Sequence, residues 1–312
     1  MNIKNSCNFV LKIDITQHDA IEVVLLAKKD NFALMKRLLI LSFVLVLSSN
    51  LWAVSPAEPT SHAYARSDEH HFLEIFRSNY FVSGLPLDRK ADALTSDIKF
   101  QVSVRTNLWR NMGGSGVNCF VGYTQTSLWN IFAPSSPFYD NTYNPGLYFE
   151  RDLFRAGRQI GSLLFGYEHK SNGRADALSR SVNYLFVSYT HLLPHNFALQ
   201  GKAWMGQSYI EETSSLALYN RYLGYFNITA MWASTSRRMN ASVMVEPTVR
   251  FDDVNYTAEF CYRIGAKHNN PYLYIQLHRG YDEALRDCTP DIEPRTMLRF
   301  GLCIRPHTTN LY

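Results

Sequence analysis

The run EHKSNGRADALSRSVN, residues 168–183, sets a base and a hydroxyl at a spacing that can do chemistry. His169 and Ser171 stand two apart, and in a strand the side chains at i and i+2 share one face. An imidazole beside a hydroxyl can take its proton and make the oxygen a nucleophile. Parity also says which face they share. Leu163, Phe165 and Tyr167 lie on it, while Ser162, Leu164, Gly166, Glu168 and Lys170 lie on the other. If the strand belongs to a barrel that crosses a membrane, its apolar face meets lipid. His169 and Ser171 are then expected on the outer wall near the interface, where a lipid ester can reach them. Taken alone the pair is a weak signal, because His–X–Ser arises by chance and a solvated surface pair is its ordinary reading.

The elements that must position such a pair are strands. In IKFQVSVRTNL, residues 98–108, Ile98, Phe100, Val102, Val104, Thr106 and Leu108 alternate with Lys99, Gln101, Ser103, Arg105 and Asn107. In residues 239–250, Met239, Ala241, Val243, Val245, Pro247 and Val249 alternate with Asn240, Ser242, Met244, Glu246, Thr248 and Arg250. Alternation of this kind is the strand signal. Similar stretches near 75–85, 117–129, 146–155, 157–169, 182–193, 197–209, 219–233, 253–265, 270–279 and 295–304 bring the total to about twelve. Many reach the roughly nine to eleven residues that a spanning strand needs. Turn residues separate them at Asn111–Gly114, Pro194–Asn196, Asp252–Asp253 and Asn269–Pro271. The expected fold is all-β, an antiparallel transmembrane β-barrel of about twelve strands, since closure satisfies every backbone group in lipid. Charged residues at 19% and aromatics at 14% suit such a wall but favour it only slightly over a soluble sandwich. So narrow a barrel is expected to be filled by side chains.

Residues 35–53 read as a secretory signal: Lys36 and Arg37, an apolar core from Leu38 to Leu47, then small residues up to Ala53. That core falls short of the roughly 20 residues of a spanning helix. Because the signal begins at Met35, residues 1–34 are expected to be an untranslated or mis-annotated extension, 54–72 a flexible leader and 73–312 the barrel. The five cysteines, Cys7, Cys119, Cys261, Cys288 and Cys303, form no CxxC or metal-ligand spacing, and the sequence cannot pair them. His191, His195, Glu211–Glu212 and Asp252–Asp253 read as solvated turns. The Asn–X–Thr sites at Asn227 and Asn255 fall within expected strands, which discounts glycosylation. No nucleic-acid partner is expected.

The whole run around His169 resembles the outer-membrane phospholipase A family. That family's motif is His–X–Ser–Asn–Gly–Arg followed by an Asp, a Ser–Arg–Ser and an Asn. Here His169, Ser171, Asn172, Gly173, Arg174, Asp176, Ser179, Arg180, Ser181 and Asn183 match it without a gap. The segments FRSNYFVSG (76–84), SDIKFQVSVRTNLWR (96–110), YTQTSLWN (123–130) and SSPFYDNTYNP (135–145) resemble the family's first strands and a following loop. The strong likeness spans about 76–190, and the last third matches only as barrel strands.

The resemblance implies a calcium-dependent phospholipase of A1/A2 type in the bacterial outer membrane, hydrolysing acyl esters of phospholipids and lysophospholipids and active as a homodimer. Ser171 would be the nucleophile, His169 the general base and Asn183 the group that orients the imidazole. The amide of Gly173 would bind the oxyanion. Calcium (Ca2+) would be held by oxygens of Arg174 and Ser179, with Ser135 supplied by the second protomer, and Gln125 would lie at the dimer interface. Val182 replaces an expected large aromatic, and Ala177–Leu178 a more polar turn, changes expected to alter acyl-chain contacts. The alternative is a passive barrel, porin-like or structural, without hydrolase activity.

Overall fold

Strict alternation of burial along the strands builds a wall with two unlike faces. From Asn79 to Pro86, Tyr80, Val82, Gly84 and Pro86 are buried, while Phe81 and Leu85 are exposed. From Tyr272 to Gly280 every even-numbered residue is buried. The computed structural model describes residues 12–15, 21–24, 72–175, 179–206, 221–265, 270–281, 283–287 and 293–306. The expected signal peptide (35–53), Asp176, Ala177–Leu178 and Glu211–Glu212 lie outside these. The chain divides into Met1–Ser55 and Pro56–Tyr312. In the first unit, Lys12–Ile15 and Ile21–Val24 pair as an antiparallel hairpin.

The second unit is a ring of twelve strands: β1 (Asn79–Pro86), β2 (Asp97–Trp109), β3 (Val117–Trp129), β4 (Phe138–Arg155), β5 (Arg158–Ser171), β6 (Ser181–Leu193), β7 (Phe197–Gly206), β8 (Phe226–Ala233), β9 (Met239–Pro247), β10 (Val254–Arg263), β11 (Tyr272–Gly280) and β12 (Arg295–Ile304). Each pairs antiparallel with its neighbour, and β12 closes on β1 through pairs such as Cys303 with Tyr80. A two-residue strand, Glu74–Ile75, extends the first wall along β2. No described helix is long and apolar enough to cross a membrane. Closure leaves no sheet edge to face lipid.

Most outward positions are apolar: Phe81, Val102, Val121, Leu147, Phe165, Leu185, Leu199, Ile228, Val243, Ile275 and Phe300 are all exposed. The lumen is only partly filled: Lys99, Thr124, Asn144, Lys170, Glu246 and His278 line a cavity of about 290 Å³ inside the barrel. One cluster joins Phe120, Tyr148, Val182, Tyr184, Phe186, Trp204 and Leu285. Buried charges are paired, as burial requires: Arg299 with Asp97 and Glu283, both at 2.7 Å, and Lys99 with Glu283 at 2.8 Å. Cys119, Cys261 and Cys303 are free thiols. The Cys261 and Cys303 sulfurs lie 3.9 Å apart, yet their strands flank β11. Two strand spacings put the backbones roughly 9–10 Å apart, beyond the ~7 Å a disulfide spans.

One end of the barrel has tight turns. Ala156 and Gly157 connect β4 to β5 with φ of +50° and +73°, the left-handed pair of a type I′ turn that suits glycine. The other end carries the longer connections, 87–96, 130–137, 172–180 and 281–294. Outer-membrane barrels turn their longer loops outward. His169 and Ser171 end β5 on that side.

The strand limits depart from expectation chiefly in β4. It begins at Phe138, not at 146, because the segment around Pro145 pairs with β3 throughout: Thr124 with Asn144, Tyr123 with Pro145. The strand expected over 219–233 begins at Phe226 among the described residues.

Candidate active site

β5 lies between β4 and β6, and the register places His169 directly opposite Asn183 and Ser171 opposite Ser181. His169 Nδ1 and Asn183 Oδ1 are 2.7 Å apart. Tyr167 donates its hydroxyl to the same Oδ1 at 2.7 Å. An amide oxygen only accepts, so Nδ1 carries the proton and Nε2 keeps its lone pair for a donor such as a hydroxyl. Tyr167 is a member of the constellation that sequence reading left as an apolar wall residue. Its signal was its parity with His169, in the neighbouring outward position.

The pair faces outward, as parity predicts. Phe165 and Tyr167 are exposed on the same face of β5, and Leu185 of β6 stands across from Tyr167. The intervening residue Glu168 is 0% exposed in the lumen. It accepts hydrogen bonds from Arg77, Tyr148 and Tyr184 and faces Lys202 at 3.4 Å. Val182 is a correction. It is buried beside Tyr148, Tyr184 and Phe186, because it pairs with Lys170 and alternates with Asn183. It faces the lumen and cannot touch an acyl chain on the outer wall.

The connection from Asn172 to Arg180 is built around one amide. Asn172 N donates to Arg180 O at 3.0 Å. Its Oδ1 accepts from Arg174 N at 3.3 Å and from Arg180 N at 3.0 Å. Between them Gly173 turns left-handed at φ +64°, and a Cβ there would sit 2.7 Å from the Tyr143 ring. Only glycine fits both demands. Arg174 donates Nη2 to Tyr139 O at 3.0 Å, and its Nε lies 3.6 Å from the buried Asp140 carboxylate. Ser179 is exposed.

Ser135 lies in the turn 130–137, at the same long-loop end, with φ of +62°, followed by Ser136 at +42°. The turn is tied by Ser136 Oγ to Ile131 O at 2.8 Å and Trp129 Nε1 to Ser136 O at 2.8 Å. Gln125 lies on the outer face of β3. It accepts from Tyr123 OH at 3.0 Å and donates to Ser127 Oγ at 3.2 Å, which in turn reaches Asn141 Oδ1 at 2.7 Å. Ser127 and Asn141 extend a polar ladder that sequence reading did not single out; the break in outward apolar parity after Val121 was its signal.

Among the described residues no cluster of three or more His, Cys, Asp or Glu could hold a metal ion. A cation bound here would take carbonyl and hydroxyl oxygens. The Arg174 carbonyl and the Ser179 and Ser135 oxygens are of that kind, and hard oxygen donors fit calcium.

The closed twelve-stranded antiparallel ring with an apolar outer face defines a membrane-type β-barrel, and its outer wall brings His169 and Asn183 together beside Ser171. The chain belongs to the phospholipase A1 family, whose model matches residues 74–294. Phospholipase A1 of Salmonella typhimurium is 30% identical over 236 residues, covering 70% of this chain and 78% of that protein. Phospholipase A1 of Escherichia coli (strain K12) is 27% identical over the same span, with the same coverage. The outer membrane phospholipase A structure from Escherichia coli superposes with a TM-score of 0.63 at 24% identity, over 74% of this chain and 94% of that one. A Salmonella typhi outer membrane phospholipase dimer with bound calcium gives 0.64 at 24% identity, over 75% and 92%. The chain is a phospholipase with the fold of the outer-membrane enzymes.

Proposed function

We propose that this phospholipase hydrolyses acyl esters of phospholipids and lysophospholipids, with calcium and as a homodimer, through Ser171, His169 and Asn183. The observation that carries the reading is the 2.7 Å contact between His169 Nδ1 and Asn183 Oδ1 on the lipid-facing wall. Asn183 fixes the tautomer, so Nε2 accepts the Ser171 proton as Oγ attacks the ester carbonyl. The imidazolium then protonates the departing alcohol, and water frees the acyl group by the reverse proton path. The Gly173 amide, at its left-handed turn, supports the oxyanion. Phe165, Tyr167 and Leu185 give the acyl chain an apolar floor.

Calcium, held by the Arg174 carbonyl, Ser179 and the partner subunit's Ser135, would supply positive charge beside the developing oxyanion. Gln125 lies on the adjoining outer face of β3, which supports its place at the dimer interface. The passive-barrel alternative gives no reason for His169 and Asn183 to pair on the outer wall. The deciding experiment is fatty-acid release from phospholipid micelles with calcium and then with chelator, on the wild type and on Ser171→Ala. Release that needs both calcium and Ser171 is expected; release that persists in chelator or in the variant overturns the assignment.

A further inference from the structure

The ladder between β4 and β5 fails opposite His169. The register pairs Tyr143 with Ser171 and Gly146 with Glu168, and the two pairs between them, Asn144 with Lys170 and Pro145 with His169, are missing. The direction of the amides explains this. In an antiparallel strand the N–H and C=O of one residue point to the same neighbour, and successive residues alternate. Asn172 N bonds Arg180 O, toward β6. Even-numbered residues of this strand therefore turn their amides to β6 and odd-numbered ones to β4. The carbonyl of His169 points at Pro145, which has no N–H to give. Both missing pairs are those that need that hydrogen.

A side chain fills the gap. Asn144 Nδ2 donates to His169 O at 2.8 Å. Asn144 is 2% exposed and faces the lumen, and its Oδ1 accepts from Arg77 Nη1 at 3.2 Å. Arg77 also pairs with Glu168, the residue before His169. The backbone that carries the imidazole is thus gripped from inside the barrel, while the ring works on the outer wall.

We propose that Asn144 is a positioning residue for hydrolysis, its amide standing in for the N–H that Pro145 lacks and holding the main chain of His169. The proposal rests on the reading of His169 as general base. A displacement of about 1 Å in such a group can cost about 100-fold in rate.

The test uses a rescue. Asn144→Ala removes the surrogate donor, and Pro145→Ala restores a backbone N–H opposite the His169 carbonyl. Asn144→Ala is expected to lower kcat by roughly 10- to 100-fold with KM nearly unchanged. Pro145→Ala, on the exposed face, should keep close to full activity. The double variant should regain most of the lost kcat, although it still lacks the Asn144 side chain; a mere packing defect would not be repaired. A double variant as impaired as Asn144→Ala, or full activity in Asn144→Ala, overturns the proposal. Retained heat-modifiable migration on gels checks that each variant is folded. A second readout needs no activity: the 13C shift of the labelled His169 carbonyl in micelles should move in Asn144→Ala and return in the double variant. An unmoved carbonyl overturns the hydrogen bond itself. A carbonyl that follows this course in a protein without hydrolysis overturns the catalytic role and traces the failure to the hydrolase reading.

Discussion

The wall formed by β3 to β6 and the wall formed by β10 to β12 solve the same inward problem and differ outward. Inside, each meets paired charge: Glu168 with Arg77 and Lys202, and Arg299 with Asp97 and Glu283. Outside, β11 and β12 present Leu273, Ile275, Phe300, Leu302 and Ile304, all exposed and all apolar. Over β3 to β6 the outward positions include Ser171 and two hydrogen-bonded groups, Tyr123, Gln125, Ser127 and Asn141 in one and His169 with Asn183 in the other. A polar group facing hydrocarbon is costly and is kept where it is used. Buried charge in the lumen is therefore ordinary for this barrel, and outward polarity is what sets the β3 to β6 wall apart.

The largest effect expected from breaking that outward polarity is catalytic. Ser171→Ala and His169→Ala should each lower hydrolysis by at least about 10³-fold while leaving a folded barrel. Asn183→Ala should cost less, roughly 10- to 100-fold, since a neutral amide orients the imidazole but stabilises its cation weakly. Initial rates on micellar phospholipid decide this, and equal losses in all three variants would contradict the division of roles.

The opposite wall sharpens the contrast through stability. Ile275 is outward and lies between Phe260 and Phe300 on the neighbouring strands. Ile275→Lys places a charge in the apolar band and should lower the unfolding free energy by about 2–4 kcal/mol if it sits near the bilayer midplane. The specific activity of the folded fraction should not change. Denaturant unfolding in bilayers measures the first and the micelle assay the second; an unchanged midpoint would mean that this face does not meet hydrocarbon.

Much of this was legible in the residues, and the misses have physical causes. Period-two alternation located β3 and β12 to the residue, at 117–129 and 295–304, because neither contains an internal proline. The outward face of His169 and Ser171 followed from parity alone. β4 was cut short because Pro145 reads as a strand breaker, and a side-chain donor that replaces a backbone one leaves no period in the sequence. Val182 was misplaced for a different reason: likeness to a motif says which residue stands beside Asn183, but only parity says that such a neighbour faces the lumen.

A smaller, conditional effect concerns the dimer. If each site uses Ser171 of one chain and Ser135 of the other, Ser171→Ala protein is inactive and Ser135→Ala protein is weak at limiting calcium. Mixing them creates dimers with one intact site, so activity should rise above that of either variant alone. Absence of any gain would mean that Ser135 serves its own chain's site or none.

The smallest expected effect lies at the long-loop end of the apolar wall, just before β10. Asp253 accepts Arg279 Nη1 at 2.9 Å and Tyr281 OH at 2.7 Å. The Arg279 hydrogen bond, opposed by slight burial and aided by Tyr281 and the Val254 amide, lowers its carboxyl from the usual 3.8 to about 2. A depressed carboxyl stabilises the fold above its unfolded pKa and loses that contribution as pH falls through the folded one. The window is therefore pH 3.8 down to about 2. Asp253→Asn should make the barrel slightly less stable than wild type at neutral pH, with the gap closing across that window. The cluster is largely solvated, so the difference should be small and should shrink further in high salt. Acid titration of both proteins by tryptophan fluorescence measures it, and a gap that widens below pH 3 would show that Asp253 does not hold the turn through its charge.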